Sequence, residues 1–190
     1  MKSLKDYVYN PSDKIESSSG QKYELIGETE NLFGYNLHRI KALKTFRTVD
    51  GKIVKKGDLG GWIEKEENLS QGGSCWVADE AKVYSNAEVR DDAKVYGNAQ
   101  VYDNANVYDN VQIFGETDVC DNVNVYEDAK VYGRAWVHED AKVYGNAKVR
   151  GDAEVCDNAH VYGRAEVYGK AEICGHAEVD YKVSSGKIDK

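Results

Sequence analysis

The sequence has 190 residues, of which 41% are hydrophobic, 31% are charged and only one is proline, and its formal net charge is −8. It contains no apolar run of membrane-spanning length and no secretory signal near Met1, so we expect no membrane segment. The acidic balance also argues against direct binding of nucleic acid, because phosphate backbones attract basic surfaces.

The first 74 residues have no regular period. They contain a predicted flexible loop at 11–20 (PSDKIESSSG), two predicted strands at 22–28 (KYELIGE) and 37–46 (LHRIKALKTF), and a hairpin turn at 49–52 (VDGK). This segment therefore predicts a small α+β or all-β N-terminal domain over residues 1–74.

From Cys75 to Lys182 the sequence repeats every six residues without a gap, which gives eighteen hexads. The third residue of every hexad is Val or Ile, and the first residue is Ala in fourteen of them. Two residues apart in a strand point to the same face, so Ala and Val share one side. The last two places are mostly Gly, Asp or Asn, which favour turns. Each hexad predicts a short strand followed by a bend.

The bends must all turn in the same direction. Hairpins would place outward residues opposite inward ones, and a helix would scatter the valines around its axis. Three equal bends instead close a triangular coil of eighteen residues, with Ala and Val facing the axis. The eighteen hexads at 75–182 therefore predict six coils, followed by a tail at 183–190.

These hexads resemble the hexapeptide-repeat left-handed β-helix. With the stretch GDLGGWIEKEENLSQ at 57–71, the chain more specifically resembles the YdcK-like β-helix proteins of bacteria and their phages. The resemblance implies an all-β, left-handed parallel β-helix over residues 75–182. Residues 1–74 would then form a cap over the open end of the helix, where strand edges are otherwise unpaired.

The resemblance also implies an alternative function, because many hexapeptide β-helix proteins are acyl-CoA-dependent acyltransferases. Such enzymes use a histidine as general base and a loop that projects from one coil. Here no coil is interrupted, and the best candidate base is His138, with Trp136 and Glu139 beside it. A surface histidine next to an exposed tryptophan is the simpler interpretation of that cluster.

Negative charge is concentrated in one half of the solenoid. Residues 75–128 contain 12 acidic and 3 basic residues, whereas residues 129–182 contain 9 and 8. Asp is a common turn residue, so a structural role is one interpretation; a ridge that attracts a basic partner is the other. The predicted acidic binding residues are Asp91, Asp92, Asp103, Asp109, Asp121, Glu127 and Asp128.

Tyrosines recur every eighteen residues on one outward face, at Tyr108, Tyr126, Tyr144 and Tyr162. Stacked outward aromatics stabilise neighbouring strands, which would explain them by itself. A continuous aromatic strip also suits a protein interface. We therefore predict that it binds a protein partner or assembles the chain into a homodimer or homotrimer.

A further column contains Cys120, His138, Cys156 and Cys174. These are zinc-ligand residue types, but successive coils place them in a line, whereas zinc prefers a tetrahedron. The sequence therefore predicts neither a metal nor a cofactor. Four cysteines without a paired framework predict reduced thiols and a cytoplasmic location, and we expect the three of this column to be partly exposed.

Together these patterns favour a non-enzymatic scaffold or binding protein. The predicted function is that of an acidic, tyrosine-rich rod that binds or blocks a basic protein partner. The resemblance suggests a phage-type inhibitor of a host protein. Acyl transfer at His138 is the alternative. The predicted partners include neither a membrane nor, for the solenoid, nucleic acid.

Overall fold

The computed structural model describes residues 20–190, so residues 11–19 of the predicted loop lie outside the described part. Within that part the chain is all-β, and its helical structure is confined to a 3₁₀ turn at Glu66–Asn68. None of its helical segments has the length and apolar character needed to cross a bilayer.

The N-terminal strands are β1 (Tyr23–Leu32), β2 (Tyr35–Ala42), β3 (Phe46–Arg47), β4 (Ile53–Val54) and β5 (Leu59–Ile63). β1 and β2 form an antiparallel hairpin around the two-residue turn Phe33–Gly34, and β3 and β4 pair around the predicted turn at 49–52. The predicted strands are thus confirmed, with the second one broken between Ala42 and Phe46.

The hexads form strands of two to four residues, as their short apolar pairs predict, except near the C-terminal end, where two strands have nine and eight residues. The strands are β6 (Trp76–Val77), β7 (Lys82–Val83), β8 (Glu88–Val89), β9 (Lys94–Gly97), β10 (Gln100–Val101), β11 (Asn106–Val107), β12 (Gln112–Gly115), β13 (Asp118–Val119), β14 (Asn124–Val125), β15 (Lys130–Gly133), β16 (Trp136–Val137), β17 (Lys142–Val143), β18 (Lys148–Gly151), β19 (Glu154–Val155), β20 (His160–Val161), β21 (Glu166–Cys174), β22 (Glu178–Val179) and β23 (Lys182–Asp189).

Every third strand pairs in parallel, with partners eighteen residues apart, so the solenoid has three faces. The hairpin face comprises β7, β10, β13, β16, β19 and the end of β21, and it continues through β5 into the β1–β2 hairpin. The glycine face comprises β6, β9, β12, β15, β18 and the start of β21. The tyrosine face comprises β8, β11, β14, β17, β20 and β22.

The β-solenoid has about seven turns, one more than the six that the hexads predict. The additional pairing comes from outside the regular repeat, because β5 runs parallel to β7 and Leu69 bridges Val89. At the other end, β23 pairs in parallel with β21. Parallel pairing thus begins before residue 75 and continues beyond residue 182. The division into cap, helix and tail stays a prediction.

The core is the one that the hexads predict. Every Val or Ile at the third hexad place, and every residue at the first place, is at most 1% exposed. The hydroxyl of Thr117, which replaces Ala, donates to the carbonyl of Phe114 at 2.9 Å and so is not left unpaired. The apolar core continues into the N-terminal strands through Tyr23, Ile40 and Phe46.

Glycine lines one corner of the solenoid, apart from Asp79 at its N-terminal place. Gly97, Gly115, Gly133 and Gly151 stack there with φ between 75° and 90°. A Cβ on Gly133 would lie 2.7 Å from the backbone nitrogen of Gly151, so a side chain is excluded by contact as well as by conformation. Glycine at this corner therefore allows the close approach of successive turns.

Candidate functional site

The predicted tyrosine strip is one continuous stack along the tyrosine face. Tyr108, Tyr126, Tyr144 and Tyr162 directly follow β11, β14, β17 and β20, and their ring centroids are 5.2, 4.9 and 5.4 Å apart with planes within 12° of parallel. All four side chains are partly exposed. Burial raises the pKa of Tyr126 and Tyr144, so their phenols stay neutral near pH 7.

Arg90 closes the N-terminal end of this stack. Its guanidinium lies 4.0 Å from the ring centroid of Tyr108 and 2.9 Å from the Asp91 carboxylate. The guanidinium of Arg90 therefore contacts a ring face and a carboxylate at the same time, and both contacts are favourable.

The predicted acidic residues form the bends that bound the tyrosine face, and three of the seven, Asp91, Asp109 and Asp121, accept a backbone amide of the next turn. Asp121 accepts a hydrogen bond from the Glu139 amide at 3.0 Å, and Asp109 accepts one from the Glu127 amide at 3.0 Å. The acceptor residues have positive φ values near 58°, where a short polar side chain is tolerated. The carboxylates therefore have a structural role, whatever they bind.

The remaining acidic residues of the predicted set differ in their contacts. Asp92 accepts hydrogen bonds from the amide and hydroxyl of Ser74, and Asp128 accepts one from the Asn110 side chain at 3.1 Å. The carboxylate of Asp103 has no hydrogen-bond or ion-pair partner among residues 20–190. Asp103 is thus the member of its corner whose charge is least compensated.

The structure brings the two predicted sets together. Asp109 and Glu127 directly follow Tyr108 and Tyr126 at one edge of the tyrosine face, and the corner that carries Asp103 and Asp121 forms its other edge. Carboxylates of two corners therefore flank the N-terminal half of the stacked rings, and their potentials add there. This arrangement suits a surface that carries positive charge next to apolar or aromatic groups.

His138 lies on the hairpin face. Its ring stacks on Trp136 with 3.9 Å between centroids, and its Nε2 lies 3.1 Å from a carboxylate oxygen of Glu154. A carboxylate only accepts, so Nε2 carries the hydrogen in this contact. The side chain of His138 is 12% exposed and Trp136 is 44% exposed, so the tryptophan covers the imidazole. These contacts fit a packed surface histidine, and acyl transfer stays untested.

The prediction of reduced, partly exposed thiols at Cys120, Cys156 and Cys174 is wrong. Cys156 and Cys174 form a disulfide, and both free cysteines, Cys75 and Cys120, are buried. The eighteen-residue period explains the pair, because it stacks the two residues in successive turns with Cα atoms 4.7 Å apart. Cytoplasmic location stays a prediction, without the support that unpaired cysteines would have given.

The same column brings metal-ligand types together. Ligand atoms of His138, Glu154 and Cys156 lie within 4.8 Å of one another, as do those of Cys156, Asp157 and Cys174. In both groups, however, the sulfur of Cys156 is bonded to that of Cys174 and is not a thiolate. We therefore assign no metal site to these groups.

Sequence reasoning missed the contact between the N-terminal hairpin and the hairpin face. Tyr35 packs against Tyr84 with 5.0 Å between ring centroids, and Tyr84 stacks on Tyr102 at 5.1 Å. The ion pair of Glu30 with Lys82, at 2.9 Å, holds the hairpin in place. The Phe33–Gly34 pair between two alternating strands was a usable hairpin signal, but nothing local indicated which face of the solenoid it would cover.

Comparisons with known proteins identify no family for the chain. No protein-family model matches the chain, and no curated protein matches its sequence.

Proposed function

We propose that this protein is a non-enzymatic β-solenoid that binds a basic protein partner on its tyrosine face. The observation that carries the proposal is the stack of Tyr108, Tyr126, Tyr144 and Tyr162 flanked by carboxylates at both edges of the face. Aromatic area supplies binding energy at an interface, while the surrounding charge guides the encounter and selects the partner.

The charge distribution supports a basic partner. Residues 75–128, which contain the N-terminal half of the strip, have an excess of nine negative charges, whereas residues 129–182 are nearly neutral. Like charges in successive turns lie about 4.8 Å apart and repel, so the acidic rows cost stability unless a cation compensates them. A basic surface would relieve this repulsion on binding.

The class of partner follows from the resemblance to β-helix proteins of bacteria and phages. On that basis we propose a host protein with a basic surface as the target, and blocking of that surface as the effect. A protein that handles nucleic acid has such a surface, because it must attract phosphates.

The binding prediction uses charge-neutral variants that keep the fold. Asp91→Asn and Asp109→Asn retain the oxygen that accepts the next turn's amide and suit a positive φ, and Glu127→Gln keeps the shape of its side chain. A partner captured from host lysate, then purified, should bind the triple variant about tenfold more weakly at low salt, and wild-type binding should weaken as salt shortens the Debye length below about 10 Å. Calorimetry or surface plasmon resonance measures both effects.

The matched control removes three charges elsewhere. Glu172→Gln, Asp152→Asn and Asp189→Asn alter exposed carboxylates away from the tyrosine face and should leave affinity within twofold. Equal binding by both triple variants would show that the acidic corners serve only as turns. Loss of binding by Tyr126→Leu alone would then place the interface on the rings.

Self-association through the tyrosine face is tested separately. If the strip joins two or three copies, light scattering during size-exclusion chromatography should give a mass two or three times the 21.2 kDa of the chain. Tyr126→Lys should convert that species to a monomer, because it places a charge in the middle of the strip. A wild-type monomer at high micromolar concentration contradicts the oligomer and leaves the face open for a partner.

A further inference from the structure

The tip of the N-terminal hairpin and the hairpin face enclose a cavity of about 330 Å³. It is open to solvent on one side and combines aromatic rings with carboxylates. Its lining consists of Phe33, Tyr35, Tyr84, Gln100, Tyr102, Asp103 and Asp118. Four rings and two carboxylates in one small cavity are the groups that bind an organic cation.

The two carboxylates are uncompensated. Asp118, on β13, is partly buried, and that burial raises the pKa of its carboxyl group. Neither Asp118 nor Asp103 has a side-chain hydrogen bond or ion pair within the described chain. In the corner that contains Asp103, the carboxylates of Asp121, Glu139 and Asp157 each accept an amide from the next turn. Asp103 instead faces the cavity without such a partner.

The rings supply the other half of the recognition. Tyr84 and Tyr102 are parallel within 4°, and Tyr35 is tilted against Tyr84. Burial raises the pKa of Tyr84 to about 12, so its phenol is neutral, and its ring packs against those of Tyr35 and Tyr102. The Tyr84 hydroxyl is directed to Gln100 Oε1 at 3.3 Å, which fixes the ring at the cavity wall.

Elsewhere in the described chain the same combination of ring and carboxylate holds a cation five times, with arginine at Arg39, Arg90 and Arg150 and with lysine at Lys94 and Lys182. Arg39 lies 4.9 Å from the ring of Trp62 and 3.0 Å from Glu80, and Arg90 makes the equivalent pair of contacts with Tyr108 and Asp91. The cavity has the rings and the carboxylates, but neither lysine nor arginine is among its lining residues. A planar guanidinium can stack on a ring and pair with a carboxylate in the same pose, which an ammonium group does less well.

We propose that this cavity binds the guanidinium group of an arginine side chain that a partner protein presents. The proposal deepens the proposed function and rests on it for the protein nature of the ligand. Asp118 and Asp103 neutralise the guanidinium, Tyr84 and Tyr102 line its path, and Phe33 closes the outer side. Since Asp103 also borders the tyrosine face, one partner surface can reach both sites.

The conformation of Phe33 agrees with a binding role. Its side chain is 90% exposed, and its φ of 51° lies in the left-handed region that bulky residues avoid. Asn followed by Gly is the favoured sequence for this two-residue hairpin turn. Phenylalanine therefore serves neither the turn nor the core, and its contact with the cavity is the role that the structure gives it.

The test uses the full chain and a short probe, the peptide acetyl-Gly-Gly-Arg-Gly-Gly-amide. Its matched control replaces arginine with citrulline, which has the same shape without the charge. Titration followed by NMR of the tyrosine ring protons should show saturable binding of the arginine peptide, and the citrulline peptide should bind at least about tenfold more weakly. A lysine peptide should bind more weakly than the arginine peptide.

Three variants assign the binding to the cavity. Asp118→Asn should weaken the arginine peptide about fivefold. Phe33→Asn should weaken it about threefold while the melting temperature stays equal or rises, since asparagine suits the turn. Asp157→Asn, in the same corner but three turns from Asp103 and hydrogen-bonded to the Gly175 amide, should leave binding unchanged. Equal affinity for the arginine and citrulline peptides, or full affinity of Asp118→Asn, overturns the proposal.

The outcomes separate this inference from the proposed function. If a protein partner binds Asp118→Asn as well as wild type but fails to bind the Asp91, Asp109 and Glu127 triple variant, the tyrosine face stands and the cavity proposal fails. If the arginine peptide binds in the cavity while no basic protein is captured, the cavity stands and the proposed function fails.

Discussion

Val143→Asp should unfold the middle of the solenoid. Val143 lies on β17 with no exposed surface and pairs with Val125 and Val161 in the neighbouring turns. A carboxylate there loses its hydration and finds no partner in a column of valines, so we expect destabilisation of at least about 4 kcal/mol. Thermal unfolding by circular dichroism measures the loss.

The adjacent outward position gives the matched control. Lys142→Asp introduces the same side chain on the same strand, but at a partly exposed place, and should change stability by less than about 1 kcal/mol. Because each turn contacts only its neighbours, hydrogen exchange in Val143→Asp should lose protection first between 125 and 161. An unchanged melting temperature for Val143→Asp is incompatible with an inward Val143.

The repeat explains why so much of this fold could be predicted from sequence. A hexad places Val143 and Ala141 on one side of a strand, and a register shift of one residue would expose every valine, so the pattern leaves one solution. The eighteen-residue turn follows from three bends, and the parallel pairing of 125 with 143 and 161 confirms it. Local pattern and long-range pairing coincide because each contact recurs at a fixed interval.

The sequence did not predict which outward residues of the solenoid the N-terminal strands cover. Lys94 and Tyr84 occupy outward hexad places, yet the N-terminal strands bury both. The cover comes from segments whose docking depends on long-range contacts, such as Glu30 with Lys82, and not on a period. For the same reason the tyrosine and acidic rows were predictable, whereas the cavity beneath Phe33 was not.

The cysteine column shows the limit of residue type as evidence. The spacing of the cysteines along the chain matches no recognisable disulfide framework, so residue type alone predicts that Cys156 and Cys174 are separate thiols. The eighteen-residue period that the hexads predict places them in adjacent turns, so the predicted coil already contained the information needed for the disulfide. The positive φ values of the acidic corner residues were likewise predictable, because they follow from the bends that the hexads require.

Asp50→Ala should be the most damaging substitution at the junction between the N-terminal strands and the solenoid. Asp50, in the turn between β3 and β4, holds the ammonium of Lys94 on β9 at 2.8 Å, and the Lys94 side chain is 3% exposed. Removal of the carboxylate leaves a buried cation without a counter-ion, which costs about 3–5 kcal/mol. The double variant Asp50→Ala, Lys94→Met should recover most of this loss.

An exposed ion pair supplies the comparison. Asp152→Ala breaks the contact of Asp152 with Arg134, whose side chain is 68% exposed, and should cost less than about 1 kcal/mol. Urea unfolding at neutral pH measures all four proteins. If Asp50→Ala is no less stable than Asp152→Ala, or if the double variant is as unstable as the single one, the buried pair does not secure the junction.

The same pair predicts how stability changes in acid. Burial alone would raise the pKa of Asp50, but hydrogen bonds from Lys94 and Thr48 outweigh it and lower that pKa below the ordinary value near about 4. A carboxyl whose folded-state pKa is lowered contributes stability above its unfolded pKa, and this contribution disappears as the pH falls through the folded value. The free energy of unfolding of the wild type should therefore decrease below pH 5 more steeply than that of the double variant. Equal slopes for the two proteins would mean that protonation of Asp50 does not contribute to the acid sensitivity of the junction.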